Sequence, residues 1–276
     1  MARLVDAHTH LLPERLAAAI RAFFVEHISG EAFRYPSAWP AARAALAEAG
    51  VERCWSLPYV RRPGSASALN RWMAETFGSD PFVEPGATVH PGDDVAQVAD
   101  EALGSLGLRL FKLHCAVGDY PLADRRLDPL WARVSGSGTP VVVHLGHAAG
   151  GTTTADELAD LDTLAGRWPE ARIILAHCAA PAVDESLALL RRHPNLHADL
   201  TPVVFDVAPL RPGALAGLED RILFGSDVPN VAVRVEEAMA AVRALGMNPS
   251  HQALVLGGNA DRLLPPPMMS PRSSVR

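Results

Sequence analysis

Short apolar, β-branched runs alternate along the chain with longer stretches rich in Ala, Leu, Glu and Arg. The runs predict strands at 3–10 (RLVDAHTH), 51–58 (VERCWSLP), 82–90 (FVEPGATVH), 108–115 (LRLFKLHC), 140–147 (PVVVHLGH), 171–178 (ARIILAHC), 195–201 (NLHADLT) and 221–228 (RILFGSDV). The stretches between them predict helices over 14–27, 40–49, 66–77, 94–105, 125–135, 155–167, 183–192, 231–244 and 249–256. The connection from the seventh run to the eighth is short and holds Pro209 and Pro212, which argues against a helix there. Eight strands in βα order predict a (β/α)8 TIM barrel, one domain over residues 1–264. An open doubly wound sheet is the alternative, but no complete GxGxxG follows a strand; GSGTP at 136–140 lacks the third glycine. Residues 265–276 have no periodicity and read as a mobile tail.

The polar positions inside this pattern carry the candidate chemistry. Residues two apart on a strand share a face, so His8 and His10 both project into a closed barrel, near the end where barrel enzymes place their sites. Two neutral imidazoles there make half of a divalent-metal site. Lys112 and His114 end the fourth strand with the same spacing, His144 ends the fifth, His177 the sixth and Asp227 the eighth. Singly, each has an ordinary structural reading: a hydrogen-bonded strand-end histidine, a helix N-cap for Asp227, a snorkelling Lys112. Together, five strands ending in ionisable groups at one rim are hard to explain by packing, because burying such groups is costly unless they are paired or bound to metal.

Composition removes several function classes. The net charge is −6 with no basic face, which speaks against a nucleic-acid partner. No apolar run approaches the roughly 18 residues of a membrane helix, and the opening MARLVDAH has no signal pattern, so a cytoplasmic protein is expected. Cys54, Cys115 and Cys178 form no CxxC and suit a reducing compartment. Alternation turns Cys115 and Cys178 away from the barrel interior, as packing residues. There is no GxSxG, P-loop or HExxH. The partner is therefore a small-molecule substrate, with a homodimer expected from the prevalence of two-fold assemblies.

The segments DAHTH, FKLH, PVVVHLGH, IILAHC, ILFGSDVP and LGGNADRLL together resemble the amidohydrolase superfamily, from about residue 4 to 264. They are most similar to its compact TIM-barrel metal-dependent hydrolases, a branch that includes decarboxylases related to aminocarboxymuconate-semialdehyde decarboxylase. The resemblance implies one or two divalent ions, zinc or a similar metal. His8, His10 and Asp227 would bind the more buried ion, and His144 that ion or a second one. His177 would bind the second ion or orient the attacking water. Lys112 stands where two-metal members carry a carboxylated lysine; it is either carboxylated or an ammonium that binds an anionic substrate group. Asp227 and His177 are then the catalytic residues, and the implied reaction is metal-assisted hydrolysis of an amide, cyclic amide or lactone. Metal-dependent decarboxylation of a small carboxylated substrate is the alternative, and a non-catalytic barrel the third reading. Substrate contacts are expected from His114 and His147 at the rim and from Arg61 in YVRRPG; His90 is a further candidate. The glycine- and threonine-rich stretch GHAAGGTTT after the fifth strand is either a lid or a connection.

Overall fold

The computed structural model describes residues 3–27, 33–145, 155–202 and 210–266. The chain opens with β1 (Val5–Thr9), α1 (Glu14–His27) and α2 (Trp39–Glu48), then β2 (Arg53–Ser56) and α3 (Ala66–Phe77). β3 (Val83–Pro85), β4 (Ala87–Thr88) and α4 (Val95–Leu103) follow, then β5 (Phe111–His114), a short α5 (Cys115–Gly118) and α6 (Asp128–Ser137). The second half runs β6 (Val141–His144), α7 (Ala155–Arg167), β7 (Ile173–Leu175), α8 (Val183–Arg192), β8 (Leu196–Asp199) and β9 (Ile222–Leu223). α9 (Val235–Ala244), α10 (Pro249–Ala253) and α11 (Asn259–Leu263) finish it. No described helix is long and apolar enough to cross a membrane.

Every strand pair is parallel, in the orders β1-β2-β3 and β4 through β9. β3 and β4 are one predicted strand interrupted at Gly86, whose N–H donates to Ser56 O at 2.9 Å. A Cβ at 86 would stand 2.9 Å from both Leu110 Cδ1 and Ser56 O, so only glycine lets the chain pass between its neighbours. Ala87 N–H then donates to Leu110 O at 2.8 Å and the ladder resumes. The ring completes through β1 and the chain after β9. Ala7 N–H donates to Phe224 O at 2.9 Å, Asp227 N–H to His8 O at 2.8 Å and His10 N–H to Val228 O at 2.8 Å. This is the expected (β/α)8 TIM barrel.

Two apolar shells account for its packing. Val5, Ala7, Trp55, Leu57, Leu110, Val142, Ile174, Ala176 and Leu223 form an inner cluster, separate from the larger one between strands and helices. Inner and outer residues alternate, as the strand period of two requires. Along β5 and β6 that alternation carries straight from Leu110 to Lys112 and His114, and from Val142 to His144.

Helix starts follow their caps. Asp94 accepts from Gln97 N–H at 3.0 Å and begins α4. Three predicted boundaries move. The helix expected from 125 starts as a 3-10 turn, Arg125–Leu127, before α6. The helix expected from 231 starts at Val235, where Glu237 accepts from Arg234 N–H at 2.8 Å and fixes the cap. The helix expected over 249–256 ends at Ala253 and passes through a π-helix, Leu254–Gly258, into α11. Before β9 the described residues form only turns and a 3-10 segment, Glu219–Arg221, in line with the prolines. Most of the predicted tail lies outside the described residues.

Candidate metal centre

His8, His10 and Asp227 come together at the C-terminal end of the strands, with one donor atom of each within 4.8 Å of the others. His10 Nε2 lies 3.1 Å and His8 Nε2 3.9 Å from Asp227 Oδ1. All three side chains are buried.

Their aim depends on one irregularity in β1. The β1–β2 register shifts between Asp6 and Thr9: the step is three residues on β1 but two on β2, from Cys54 to Ser56. This bulge turns the inward set from Val5 and Ala7 to His8 and His10. Asp6 holds it, accepting on Oδ1 from His8 N–H at 3.1 Å and from Ser226 N–H at 3.0 Å. The second contact also ties β1 to the segment that carries Asp227. Space is provided by Gly225, where a Cβ would stand 2.7 Å from His8 Cβ.

Both imidazoles have one nitrogen committed and one available. His8 Nδ1 donates to Asp199 Oδ2 at 2.9 Å, and His10 Nδ1 donates to Leu57 O at 2.7 Å. Those bonds fix the tautomers and leave each Nε2 lone pair facing Asp227, the arrangement that metal-ligating histidines adopt. Burial, and next the charge of Lys112, push His8 down to about 3, so it is a neutral ligand at physiological pH. Burial works against the charge on Asp227, but the neighbouring His10, His177 and His8 outweigh it and hold the carboxyl below its ordinary value. Two imidazoles and a carboxylate are a fitting donor set for a divalent ion such as zinc.

His177 reaches the site by a different device. Strict alternation after Ile174 and Ala176 would turn it outward. Instead His177, Cys178 and Ala179 have φ of 55°, 49° and 53°, a left-handed turn that swings the imidazole inward. Its ring centroid stands 5.0 Å from that of His8 and 5.0 Å from that of His144. His177 Nδ1 donates to Pro202 O at 3.2 Å, which leaves Nε2 as the acceptor. Cys178 is turned away, with Sγ 3.2 Å from Ser186 Oγ. Burial pushes the Cys115 thiol up to about 12, and both cysteines are buried packing residues.

Asp199, at the end of β8, joins these parts. It accepts from His8 Nδ1 through Oδ2, and through Oδ1 from His177 N–H at 2.8 Å and Thr201 N–H at 3.2 Å. Burial opposes its charge, but His8 by charge and by hydrogen bond, then His177, hold it well below the carboxylate range. Sequence reading placed no role on Asp199. Its signal was available, as an aspartate at the end of an apolar strand, at the same rim as the histidines.

Lys112 is fully buried on β5, and its Nζ lies 3.3 Å from His8 Nε2. Burial lowers it to about 8, against the opposing charges of Asp199 and Asp227. His114 and His144 are register partners on β5 and β6, which explains their stacking at 3.9 Å and 15°. Burial, then Lys112, keep His114 well below its ordinary value. Tyr59, also unforeseen, packs its ring 5.3 Å from His10 and 4.9 Å from His114 at the mouth. Burial and the charge of Asp227 raise its hydroxyl. Lys112, His144 and His177 therefore flank the three-donor group, while Arg61 is exposed on the loop after β2. His90 is structural, with both ring nitrogens used: Nδ1 accepts from Gly92 N–H and Nε2 donates to Gly118 O. His147 and the stretch 146–154 lie outside the described residues.

Comparisons with known proteins agree with the barrel fold. The fold is similar to that of an uncharacterized TIM-barrel protein from Bordetella bronchiseptica (TM-score 0.74, 23% identity, 95% of this chain and 98% of that one). It is also similar to 5-carboxyvanillate decarboxylase LigW from Sphingomonas paucimobilis (TM-score 0.68, 16% identity, 95% and 99%). A third similar structure is 4-oxalomesaconate hydratase, LigJ, from Rhodopseudomonas palustris (TM-score 0.63, 16% identity, 94% and 95%). No curated protein matches the sequence. The profile of the Amidohydrolase family matches residues 5–265, nearly the whole length, and the chain belongs to that family.

Proposed function

We propose that the chain is a divalent-metal-dependent hydrolase that opens an amide, cyclic amide or lactone of a small molecule with an activated water. The supporting observation is the convergence of His8, His10 and Asp227, both histidines having Nδ1 already committed, beside the acceptor Nε2 of His177. An ion held by the three donors, zinc by the chemistry of the set, supplies Lewis acidity that polarises a carbonyl and lowers the proton affinity of water. The remaining work belongs to the chain. Asp227, an anion with one oxygen turned to His10, accepts the water proton and returns it to the leaving group. His177 orients the water through Nε2. Asp199 keeps His8 and His177 in register by holding a side-chain nitrogen of one and the backbone of the other. His114, His144 and Tyr59 form the wall against which the substrate lies.

A second reading rests on Lys112. Its buried Nζ, beside His8, offers a cation to a substrate carboxylate. In that case the C–C bond to the carboxylate breaks, CO₂ leaves, and His177 or Asp227 delivers a proton to the carbon.

Metal content and product analysis test both. One ion per chain, lost in His10→Ala, with solvent oxygen entering the product, is the expected result for hydrolysis. CO₂ release without solvent oxygen selects the second reading. Two ions per chain, falling to one in Lys112→Ala, would make Lys112 a carboxylated ligand. Asp227→Asn should lower turnover by about 10²-fold or more with the fold retained, as loss of a positioned acid–base group does. Near-normal turnover in that variant would remove Asp227 from the mechanism.

A further inference from the structure

A second charged recess lies at the opposite end of the barrel. It is a cavity of about 440 Å³, lined by Arg172, Asn195, His197, Asp220, Arg221 and Arg262 among others. Arg172 precedes β7, Asn195 precedes β8 and Arg221 precedes β9. His144 and Asp199 end their strands, and His177 and Asp227 follow theirs, so the recess and the metal centre do not share a ligand.

The three guanidiniums are anchored without being neutralised. Arg172 Nη1 donates to Leu263 O at 2.8 Å, and Arg221 Nη1 to His193 O at 3.0 Å and to Leu190 O. Arg262 Nη2 donates to Asp220 O at 3.3 Å and to Asn259 Oδ1. All of these acceptors are neutral carbonyl or amide oxygens. Elsewhere, arginines with comparable burial meet carboxylates: Arg109 pairs with Glu84 and Arg167 with Asp128. Among the described residues no carboxylate stands within ion-pair distance of Arg172, Arg221 or Arg262, although Asp220 and Glu170 share the lining.

A guanidinium has five N–H donors in a rigid fork, and each of these three commits one nitrogen to its anchors. Arg172 and Arg221 are half-buried, where an uncompensated charge is costly. His197 stands among them. Burial, and then the charges of Arg221 and Arg172, bring it down to about 4 against its contact with the backbone of Asn195 and the charge of Asp220. Its Nδ1 is sealed from solvent without a well-formed hydrogen bond, so the ring can offer a ligand only Nε2.

We propose that this recess binds the oxyanion of a small metabolite, a phosphate or carboxylate group, between the forks of Arg172 and Arg221 with Arg262 at the rim. Bidentate pairing of guanidinium with such oxyanions is the geometry these donors favour.

Calorimetric titration of the metal-loaded protein with inorganic phosphate, and separately with succinate, tests it. An oxyanion can also reach a metal ion, so His10→Ala is titrated in parallel. The expected result is a saturable site of millimolar or tighter affinity that survives His10→Ala. Arg262→Gln and Arg172→Gln should each weaken it about ten-fold, as loss of a charge-assisted hydrogen bond does. Arg262 is exposed, so its variant should keep the metal content and thermal midpoint of the parent. Stronger binding of phosphate assigns a phosphate ester, and stronger binding of succinate a carboxylate. No saturation up to about 10 mM, or binding that disappears in His10→Ala and ignores Arg262→Gln, overturns the proposal.

Discussion

At the scale of single residues, the site is built from side chains that hold other side chains. Asp199 touches His8 and the backbone of His177 at once, so its charge and its shape do separable things. Asp199→Asn keeps the shape and removes the charge. It should weaken metal affinity about 10- to 100-fold, the usual cost of losing an outer partner of a ligating histidine, with a thermal midpoint close to the parent's. Competition with a chromogenic chelator measures this, and an unchanged affinity would make Asp199 a packing residue only. Asp6 works from the other side of His8. Burial raises it from 3.8 to about 7, against the hydrogen bonds it accepts from Ser226 and His8. Between those values the folded chain holds a proton that the unfolded chain has released. Its stabilising contribution is therefore complete below pH 4 and is lost as pH rises through 7, at no more than ~1.4 kcal/mol per pH unit. Chemical denaturation of metal-free protein at pH 5 and pH 8 should show the parent losing more stability than Asp6→Asn over that interval. Parallel losses would refute the shift. The histidine pair was legible from its spacing alone. Asp199 was marked only by its place at the end of an apolar strand, and Asp6 had no periodic partner in the sequence to mark it.

At the scale of elements, the positions of strands and helices followed from the alternation of apolar runs, and the departures from regularity did not. His8 and His10 share a face as their spacing requires, yet Ala7 also belongs to the inner shell, and only the bulge between Asp6 and Thr9 reconciles the two. Nothing in VDAHTH announces an extra residue in a register. The inward turn of His177 is likewise invisible in ILAHC, because it rests on three consecutive left-handed residues, none of them glycine. That conformation costs roughly 1–2 kcal/mol per residue for side chains with a Cβ. Ala179 holds φ 53° and carries no functional group, so it is the place to relieve the turn. Ala179→Gly should raise stability by about 0.5–1 kcal/mol, part of the relief being offset by the freer unfolded chain, with turnover unchanged. A loss of stability would mean that the Ala179 methyl group contributes more through packing than the backbone conformation costs.

At the scale of the whole molecule, the donors come from the two ends of the barrel sequence. His8 and His10 lie on or just beyond the first strand and Asp227 follows the last, and the seam between them is joined by three backbone hydrogen bonds and by Asp6 reaching Ser226. An ion held by all three would bridge the place where the ring closes. Metal binding should therefore stabilise the fold as a unit instead of ordering a loop. At free metal of about 100 times the dissociation constant, linkage gives about 2.7 kcal/mol. For a chain of this size that corresponds to roughly 5–10 °C in the thermal midpoint. Chelator-treated protein should melt lower by that amount in a single transition, and zinc added back should restore it. In His10→Ala the two curves should coincide, because the seam then lacks one of its donors. A metal-dependent shift that persists undiminished in His10→Ala would place the ion elsewhere, and the reading of HTH as a ligand pair would fall with it.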